Sequence, residues 1–458
     1  MKIKILSIIA SFFLTSLTLI SCLDNDETTN TSSDVAISSF SINDIKTTLI
    51  TESDTTTFTV TGTDYPFTIN QTSAIGLIYN ADSLPYNTDV KKVSINLGTN
   101  GFYTTYVLKD KSNEDSLCYW NGTDSLNFTN PIKFTVYAYD SSSKSYEIKV
   151  NVHKVVPDSL VWNSYQSNFP GTDITGGQKA VTLNNKVYVF AETGAGVELT
   201  SSEDGKDWST FEALSGFTAT PDYSSVIVFN NHLLILAGNL IYTSTDGKSW
   251  KQTTTAANAL VATNGGKLFG IQQGKFIELI SSENPDEVFT VSGNAGIDVP
   301  EGFPTRNYSY AYYRLATNES IEKTILIGET PNSSDTITTV WAKLSTENSW
   351  VDYDNRTIYH CPKLENISLI RYDNKLFVFG GKGTYNQKEV KAFQHFYVSE
   401  DNGYAWKPID RYVCFPSSFI GKEDSYSYFI DQQDYIWLMW SGSNEVWRGK
   451  INRLGFVK

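Results

Sequence analysis

Hydrophobic and polar residues alternate along much of the chain before residue 156, which is the pattern of β-strands with one buried face. The clearest case is a pair of alternating runs at 132–138 and 146–152, joined by a polar turn at 140–145. Further short strands are predicted upstream, at 58–60, 75–79, 93–97 and 103–108. An immunoglobulin-like β-sandwich over residues 35–156 accounts for this succession of short strands.

A different pattern repeats six times after residue 157, where a polar turn is followed each time by a short apolar strand. The copies lie at 184–190, 230–236, 264–271, 323–327, 373–379 and 433–438. About 50 residues are available for each copy, enough for a four-stranded blade of a β-propeller. We therefore predict an all-β protein in which residues 157–458 form a β-propeller, most simply with six blades. Five blades follow if the weak copy at 323–327 merges with a neighbour, and seven if a long gap contains another. Pairing of the strand around Trp162 with the strand around Trp447 is expected to close the ring.

Three of the repeats are followed by the same polar turn, which contains a serine, an aspartate, a glycine and a tryptophan in that order. The residues are Ser202, Asp204, Gly205 and Trp208, then Ser244, Asp246, Gly247 and Trp250, then Ser399, Asp401, Gly403 and Trp406. The third copy matches the Asp-box S-x-D-x-G-x-x-W, and the other two are one residue shorter. The carboxylate is expected to accept backbone N–H bonds, the glycine to take φ > 0, and the tryptophan to pack between sheets. The turns therefore favour a propeller and a structural role.

The first residues have the composition of an export signal. Lys2 and Lys4 precede an apolar run at 5–20, and the run ends in Leu-Ile-Ser followed by Cys22, which resembles a bacterial lipobox. We predict a lipoprotein signal peptide at 1–21 and lipidation of Cys22. The alternative, a transmembrane anchor, fits less well because the run is short and rich in hydroxyl groups. Acyl chains on Cys22 would hold the protein at a membrane surface.

The segment after this cysteine is predicted to be a flexible acidic tether over residues 22–34, because 23–27 are mostly acidic and a Thr-, Ser- and Asn-rich stretch follows. The acidic residues resemble the export signal of Bacteroidota surface lipoproteins. That resemblance implies a lipoprotein of the cell envelope, exposed on the outer face of the outer membrane. An ordinary linker on a periplasm-facing lipoprotein is the alternative.

Composition narrows the possible partners. The formal net charge is −14, and removal of residues 1–21 would take away two further positive charges, so nucleic acid is not an expected partner. Cys118, Cys361 and Cys414 show no CxxC spacing, so the sequence predicts neither a zinc site nor any other metal site. Buried free thiols are expected, with a pair between Cys361 and Cys414 as the alternative. No cofactor is predicted.

The chain as a whole resembles a known family of Bacteroidota lipoproteins, the domain-of-unknown-function 6242 family. The resemblance rests on the lipobox, the hairpin ending in Tyr-Glu-Ile-Lys-Val-Asn-Val-His at 146–153, the Pro-Asp-Ser-Leu-Val-Trp segment at 157–162, and the repeats. It covers nearly the whole mature chain. The family carries no assigned reaction, so the resemblance implies a fold and a location but no functional residue.

Two enzyme classes with related propellers fit the sequence poorly. A sialidase holds the substrate carboxylate with three arginines, the first near the start of the propeller, whereas no arginine precedes Arg306 here. Copper oxidases on such propellers need tyrosine and histidine ligands and a cross-linking cysteine, whereas this domain has only His232, His360 and His395. His360 beside Cys361 is a possible nucleophilic pair, but adjacent residues of a strand point to opposite faces. Glycosidase carboxylate pairs stay open because their separations are invisible in a sequence.

Aromatic residues near predicted strand starts suggest a ligand face at the axial mouth of the propeller, with packing between blades as the alternative. The candidates are Tyr223, Arg306, Tyr308 and Trp440. Rings beside amide and carboxylate groups suit stacking of a sugar or a peptide. The sequence therefore favours a surface-anchored, non-catalytic recognition or scaffold module for a glycan or a surface protein. A carbohydrate-active enzyme of the glycosidase or lyase type is the alternative.

Overall fold

The computed structural model describes residues 32–50, 55–109, 115–284, 286–292, 296–330, 335–353 and 358–456. The predicted signal peptide, Cys22 and the tether up to residue 31 lie outside these residues. The chain divides into two compact units. The first ends at Pro157 and also contains the C-terminal residues from Arg453, and the second is Asp158–Asn452. The sequence had placed all residues from 157 to 458 in the second domain.

The described part of the first unit is built from eleven strands and one short 3-10 turn, Gly62–Asp64. The strands are β1 (Ile37–Ile42), β2 (Ile45–Ile50), β3 (Thr55–Val60), β4 (Phe67–Asn70), β5 (Ile75–Asn80), β6 (Val93–Thr99), β7 (Tyr103–Lys109), β8 (Asp115–Tyr119), β9 (Ser125–Leu126), β10 (Ile132–Tyr137) and β11 (Ser143–Lys149). They form a three-stranded sheet β1-β6-β9, a six-stranded sheet β4-β5-β11-β10-β7-β8 and the hairpin β2-β3. Strands β5 and β11 are parallel, and the other pairs are antiparallel.

The predicted hairpin is present as β10 and β11, with Phe134 opposite Tyr146. The side chains of Phe134, Val136, Tyr146 and Ile148 are buried in the core of this unit, and the intervening residues face outward. The turn is shorter than predicted, because β11 begins at Ser143 and its first polar residues pair with Val136 and Tyr137. Polarity alone therefore placed the turn boundary too late.

The described part of the second unit contains six four-stranded antiparallel sheets, one three-stranded sheet and a 3-10 turn, Gly171–Asp173. Its strands are β12 (Leu160–Gln166), β13 (Ile174–Leu183), β14 (Lys186–Thr193), β15 (Gly196–Ser202), β16 (Glu212–Ala213), β17 (Pro221–Phe229), β18 (His232–Ala237), β19 (Leu240–Ser244), β20 (Lys251–Ala256), β21 (Ala259–Thr263), β22 (Lys267–Gln272), β23 (Lys275–Ser281), β24 (Phe289–Val291), β25 (Arg306–Leu315), β26 (Asn318–Glu329), β27 (Val340–Leu344), β28 (Val351–Tyr353), β29 (Lys363–Leu364), β30 (Ser368–Tyr372), β31 (Lys375–Phe379), β32 (Gly383–Tyr385), β33 (Lys388–Val390), β34 (Phe396–Ser399), β35 (Lys407–Ile409), β36 (Tyr426–Ile430), β37 (Ile436–Trp440) and β38 (Glu445–Ile451).

The four-stranded sheets are arranged in a ring. Their orders are β13-β14-β15-β16, β17-β18-β19-β20, β21-β22-β23-β24, β25-β26-β27-β28, β30-β31-β34-β35 and β12-β38-β37-β36, and β29-β32-β33 is the small sheet. The inner strand of each sheet is β13, β17, β21, β25, β30 or β36. These inner strands contact one another in succession, from β36 through β13, β17, β21 and β25 to β30. The Tyr428 hydroxyl of β36 donates to the Leu369 carbonyl of β30 at 3.2 Å, which completes the ring.

The ring is closed by the pairing predicted from the sequence. Strand β12 runs antiparallel to β38, with Leu160 opposite Ile451 and Trp162 opposite Gly449. The six repeated strands found in the sequence are the second strands of the six sheets. Asn184 and Asn185, which precede β14, both have positive φ, as expected for a two-residue hairpin turn rich in asparagine. No helix of the described residues has the length and apolar character needed to span a membrane.

Candidate functional site

The ring surrounds a cavity of about 540 Å³. The cavity is lined by β13, β17, β25, β30 and β36 and by the residues directly before them, so it follows the inner strands of five of the six sheets. The polar side chains of its lining are Gln178, Lys179, Thr182, Tyr223, Ser224, Asn307, Tyr308, Ser309, Tyr310, Tyr312, Asn366, Ser368, Arg371, Ser425, Tyr426, Ser427 and Tyr428. Hydroxyl and amide groups, with two cationic side chains, therefore dominate the site.

Several of these polar groups hold the ring together. The Gln178 amide of β13 donates to the Ser425 carbonyl at 2.8 Å and accepts a hydrogen bond from the Ser427 hydroxyl at 2.9 Å, so β13 is fixed to β36. The Tyr426 hydroxyl donates to the Asn366 carbonyl at 2.6 Å. Burial raises the pKa of Tyr426, so its hydroxyl stays protonated and available as a donor. These groups are occupied by protein partners.

Lys179 differs from its polar neighbours because its ammonium group faces the cavity with only part of its donor capacity used. The Nζ atom donates to the Ser224 carbonyl at 2.7 Å. The side chain is partly exposed in the wall of the cavity. Its partial burial lowers the pKa of Lys179 to about 8, although the nearby Asp222 carboxylate acts in the opposite direction. A lysine with this pKa is largely cationic at neutral pH and retains N–H groups for a further acceptor.

Tyr223 lies beside this lysine, at the start of β17. Its ring packs against the backbone of β13 at Gly177, where even a methyl group would collide with the Tyr223 hydroxyl. The pKa of Tyr223 is raised, first by burial and then by the negative charges of Glu192 and Asp222. Glu192 in turn accepts a hydrogen bond from the Gly177 N–H at 3.2 Å. Glycine at 177 thus allows a tyrosine to lie flat against the cavity wall.

Two of the four predicted ligand-face residues, Tyr223 and Tyr308, line the cavity. The Tyr308 hydroxyl donates to the Pro304 carbonyl at 3.0 Å, and burial raises its pKa. Arg306 is exposed and is not part of the lining. Its Nε atom is 2.9 Å from a carboxylate oxygen of Glu329, so this arginine is engaged in an ion pair beside the site.

The fourth residue, Trp440, was predicted wrongly. Only 1% of its surface is exposed, and its ring packs between Phe393 and Phe419 at centroid distances of 5.3 and 4.7 Å. The Lys422 ammonium lies 4.4 Å from the ring centroid. All five residues of β37 are buried, because a second strand of a sheet in this ring is covered on both faces. Its aromatic side chains consequently belong to the core.

The three predicted polar turns share one hydrogen-bond pattern. In the first, the Asp204 carboxylate accepts from the N–H groups of Lys206 and Asp207, each at 2.8 Å, and the Ser202 hydroxyl accepts from the Gly205 N–H at 2.9 Å. The Trp208 indole donates to the Gly205 carbonyl at 3.1 Å. The turn at 244–250 repeats these contacts. In the turn at 399–406 the Ser399, Gly403 and Trp406 contacts recur, and the Asp401 carboxylate accepts from the Ala405 N–H at 2.9 Å. The third turn accommodates its additional residue as Asn402, with φ of 63°.

In the first two turns, burial and hydrogen bonding have opposite effects on the pKa of the aspartate. The pKa of Asp204 is lowered. Burial is the largest single contribution and raises this pKa, but the hydrogen bonds from the backbone of Asp207 and Lys206 and from the Ser202 hydroxyl together outweigh it. Asp246 behaves in the same way. All three glycines have positive φ, and all three tryptophans are buried. The hydrogen bonds of each turn are thus local, whereas its tryptophan packs against the neighbouring sheet, as Trp250 does against Phe190 at a centroid distance of 5.9 Å.

Cysteine and histidine side chains form no separate reactive centre in the part of the chain that the structure describes. Cys118, Cys361 and Cys414 are free thiols; Cys361 is buried and the other two are partly exposed. Burial raises the pKa of Cys361. The His360 ring contacts the backbone carbonyl of Cys361 rather than its sulfur. Among the residues that the structure describes, there is no group of three or more His, Cys, Asp or Glu side chains arranged to hold a metal ion.

Fold and cavity together define an all-β protein whose larger unit is a β-propeller domain. Residues 156–458 match the family profile described as "DUF6242 beta propeller domain", and residues 40–150 match the "Domain of unknown function (DUF6242) N-terminal domain". The chain therefore belongs to the DUF6242 family, which confirms the family predicted from the sequence. A comparison with curated proteins gives no match.

Solved structures show only a distant likeness. A Penicillium chrysogenum α-L-arabinanase complexed with arabinobiose is 10% identical, covers 65% of this chain and 98% of its own, and gives a TM-score of 0.36. The catalytic domain of a Coprinopsis cinerea GH62 α-L-arabinofuranosidase is 15% identical, with coverages of 55% and 96% and a TM-score of 0.29. An endo-1,4-β-xylanase from Bacteroides thetaiotaomicron is 10% identical, with coverages of 61% and 91% and a TM-score of 0.30. Similarities at this level carry no functional argument.

Sequence reasoning missed most of the cavity. Gln178, Lys179, Asn366 and Tyr426 lie on or just before inner strands that the repeat pattern did not mark. Their shared position was available as a signal, because each inner strand precedes one of the six repeated strands by a short turn. Residues at the starts of those preceding strands are the ones that converge on the axis.

Proposed function

We propose that this protein is a recognition module that binds a glycan or a surface-protein segment in the central cavity of its propeller. The observation that carries the proposal is the composition of the cavity lining, in which aromatic rings, hydroxyl groups, amides and two cations converge on about 540 Å³. This volume is in the range of small-ligand sites, which combine a mainly preformed wall with a few polar groups that fix orientation.

The polar groups with free capacity identify the ligand-contacting part of the lining. Gln178 and Tyr426 are occupied by partners within the ring, whereas the Tyr223 hydroxyl makes no hydrogen bond to the described residues and Lys179 uses one N–H on Ser224. A phenol and an ammonium group in the same cavity wall suit oxygen acceptors such as sugar hydroxyls, sugar carboxylates or peptide carbonyls. We therefore assign Lys179 and Tyr223 as the principal ligand contacts.

Recognition is favoured over hydrolysis by the ionisable groups of the lining. Glycoside hydrolysis generally uses two carboxyl groups on either side of the scissile bond. The ionisable side chains that line this cavity are Lys179, Arg371 and tyrosines, a set suited to holding an oxygen-rich ligand. The enzyme alternative predicts that a bound glycan is cleaved.

We further propose that the protein is a lipoprotein of the outer membrane, exposed at the cell surface and anchored through Cys22. The proposal is supported by the charged and apolar leader at 1–21 and by the acidic residues at 23–27. A tether over 22–34 would keep the folded units in water while the acyl chains insert.

The finer fold assignments complete this proposal. We interpret each of the six four-stranded sheets as one blade and the three polar turns as Asp-box turns. We assign the first unit to the immunoglobulin-like class, since a three-stranded and a six-stranded sheet of short, mostly antiparallel strands contribute side chains to one common hydrophobic core.

A binding screen tests the proposed function. The full chain, purified in detergent, is applied to arrays of glycans and of bacterial surface proteins, and binders are rechecked with Lys179→Met, Tyr223→Phe and the surface control Lys251→Met. We expect both cavity variants to weaken binding at least about tenfold and the control to leave it unchanged. Unchanged binding by both cavity variants would exclude the cavity as the site. Release of shorter sugars, followed by mass spectrometry, would instead support the enzyme alternative.

A further inference from the structure

The first unit exposes a contiguous patch of aromatic rings on the outer face of its six-stranded sheet. The aromatic patch consists of Phe102, Tyr103, Tyr119, Tyr137 and Tyr139. The alternation of strand side chains places it there: Phe134 and Val136 of β10 and Tyr106 of β7 point into the core, so the residues between them point outward. Tyr137 is directly opposite Tyr103 in the register of β10 and β7.

The rings form one connected surface. Tyr103 and Tyr137 are stacked with centroids 4.6 Å apart and planes 10° apart. The ring centroids of Phe102 and Tyr139 are 4.5 Å apart, and the ring centroid of Tyr103 is 5.8 Å from those of both Phe102 and Tyr119. The exposed fractions are 72% for Tyr119, 59% for Phe102, 47% for Tyr139 and 39% for Tyr103. Four connected rings that remain this exposed, with the half-buried Tyr137 stacked on one of them, are unusual, because aromatic side chains normally contribute to folding by being buried.

The size of the patch argues against a second copy of the chain or another folded protein as its partner. With about 200 Å² for each aromatic side chain, the four most exposed rings offer roughly 400 Å² together. A stable protein interface needs about 800 Å² from each partner. The patch spans strands β10, β7 and β8, a width of about 10 Å at the usual strand spacing. These dimensions fit a narrow ligand that lies along the rings.

The chemistry of the patch indicates a neutral ligand that has both an apolar face and hydroxyl groups. All five side chains are phenyl or phenol groups, so the patch itself carries no cation that would select a phosphate or a carboxylate. The phenol hydroxyls of the tyrosines both donate and accept hydrogen bonds. The net charge of −14 disfavours a nucleic acid strand, whose bases would otherwise also stack on such rings. A pyranose ring offers C–H groups on its face and hydroxyls around its edge.

We propose that the aromatic patch is a second binding site, which holds a short stretch of a neutral polysaccharide by stacking sugar rings on Tyr119 and Phe102. These two rings are the most exposed and lie on either side of Tyr103. The patch and the propeller cavity are formed by different residues, so this site stands whether or not the cavity binds a ligand. Its role would be to retain the protein on a polymer.

Affinity electrophoresis of the full chain tests the proposal, with native gels that contain arabinan, arabinoxylan or mannan, and polygalacturonate as an acidic counterpart. We expect at least one neutral polymer to retard the protein. Phe102→Ala and Tyr119→Leu should each weaken that retardation about tenfold or more, whereas Tyr119→Phe, which keeps the ring, should retain it. Ile75→Ala is the matched control, since Ile75 is exposed on the same sheet face, on β5.

Each other outcome contradicts the proposal. If none of the neutral polymers retards the protein, the patch is not a polysaccharide site of this class. If Tyr119→Leu binds as well as the unaltered protein, the surface acts by general hydrophobicity and not by ring stacking. If analytical ultracentrifugation detects a dimer that Phe102→Ala abolishes, the occupant is a second copy. Circular dichroism of each variant establishes that a loss of binding is not a loss of folding.

Discussion

Replacement of Lys179 by methionine should make the protein more stable at neutral pH. The side chain lies in the cavity wall, where it is only partly exposed, and burial lowers its pKa from an ordinary 10.5 to about 8. Such a difference corresponds to about 3 kcal/mol by which folding disfavours the charged form. Removal of the side chain also leaves the Ser224 carbonyl without its 2.7 Å hydrogen bond, which costs about 1 kcal/mol. The expected net gain is therefore about 2 kcal/mol.

The sign of the effect should reverse with pH. Below about pH 8 the lysine is protonated in both states, so the unfavourable burial of its charge is fully present. Between about pH 8 and 10.5 the unfolded chain binds more protons than the folded protein, so the stability of the unaltered protein rises relative to the variant. Above about pH 10.5 only the lost hydrogen bond remains, and Lys179→Met should be about 1 kcal/mol less stable.

Urea denaturation of both proteins at pH 7 and pH 10.5, followed by tryptophan fluorescence, measures this reversal. Lys251→Met removes an exposed lysine of β20 and serves as the charge-matched control, for which we expect changes within about 0.5 kcal/mol at either pH. A variant that is less stable than the unaltered protein at pH 7, or a difference that does not vary with pH, would refute the assignment of Lys179 as a strained cation in the cavity.

Three further predictions concern other parts of the chain. Glu278→Ala should lower the free energy of unfolding by about 3 kcal/mol in urea denaturation. The substitution leaves Lys343, whose side chain is 3% exposed and lies 3.5 Å from that carboxylate, without an ion-pair partner and with only the Glu347 carbonyl as acceptor; a loss below about 1 kcal/mol would contradict this. Asp204→Ala should lower the free energy of unfolding by about 1–2 kcal/mol at pH 7. The variant should also lose less stability than the unaltered protein as the pH falls through the lowered pKa of Asp204. The exposed control Asp207→Ala should show neither effect. Cys22→Ala should abolish fatty-acid labelling and release the protein from membranes, and retention with labelling intact would refute the predicted lipidation site.

Local patterns in the sequence were sufficient wherever the structure depends on neighbouring residues. The alternation at 132–138 predicted β10 because a strand with one buried face records that burial every second residue. The turns around Asp204 and Asp246 were predictable because their hydrogen bonds join residues two or three positions apart. The strand β37 was recognisable too, but not its surroundings, so Trp440 was assigned to a ligand face although both faces of its strand are covered.

The cavity could not be predicted in the same way, because its geometry depends on contacts between residues far apart in the chain. Gln178 hydrogen-bonds Ser425 and Ser427, almost 250 positions later, and Tyr428 contacts Leu369 across a different pair of sheets. The hydrophobic pattern of a single segment gives no information about such a long-range contact. The sequence could give the number of repeats and the residue types near strand starts, while ring closure determines which of them face the axis.

The distinction between polar groups with and without protein partners separates those that hold the ring together from those assigned to the proposed ligand. Gln178, Tyr426 and Tyr428 have their donors engaged across the seams between sheets, so substitution there should loosen the ring before it alters recognition. Lys179 is expected to lower the stability of the fold and donates one hydrogen bond, to Ser224, while the hydroxyl of the nearby Tyr223 has no hydrogen-bond partner among the described residues. If the proposed ligand binds at Lys179, the cost of placing this charge in the cavity wall is offset by the ligand contact. Binding energy and stability should therefore change in opposite directions when Lys179 is replaced.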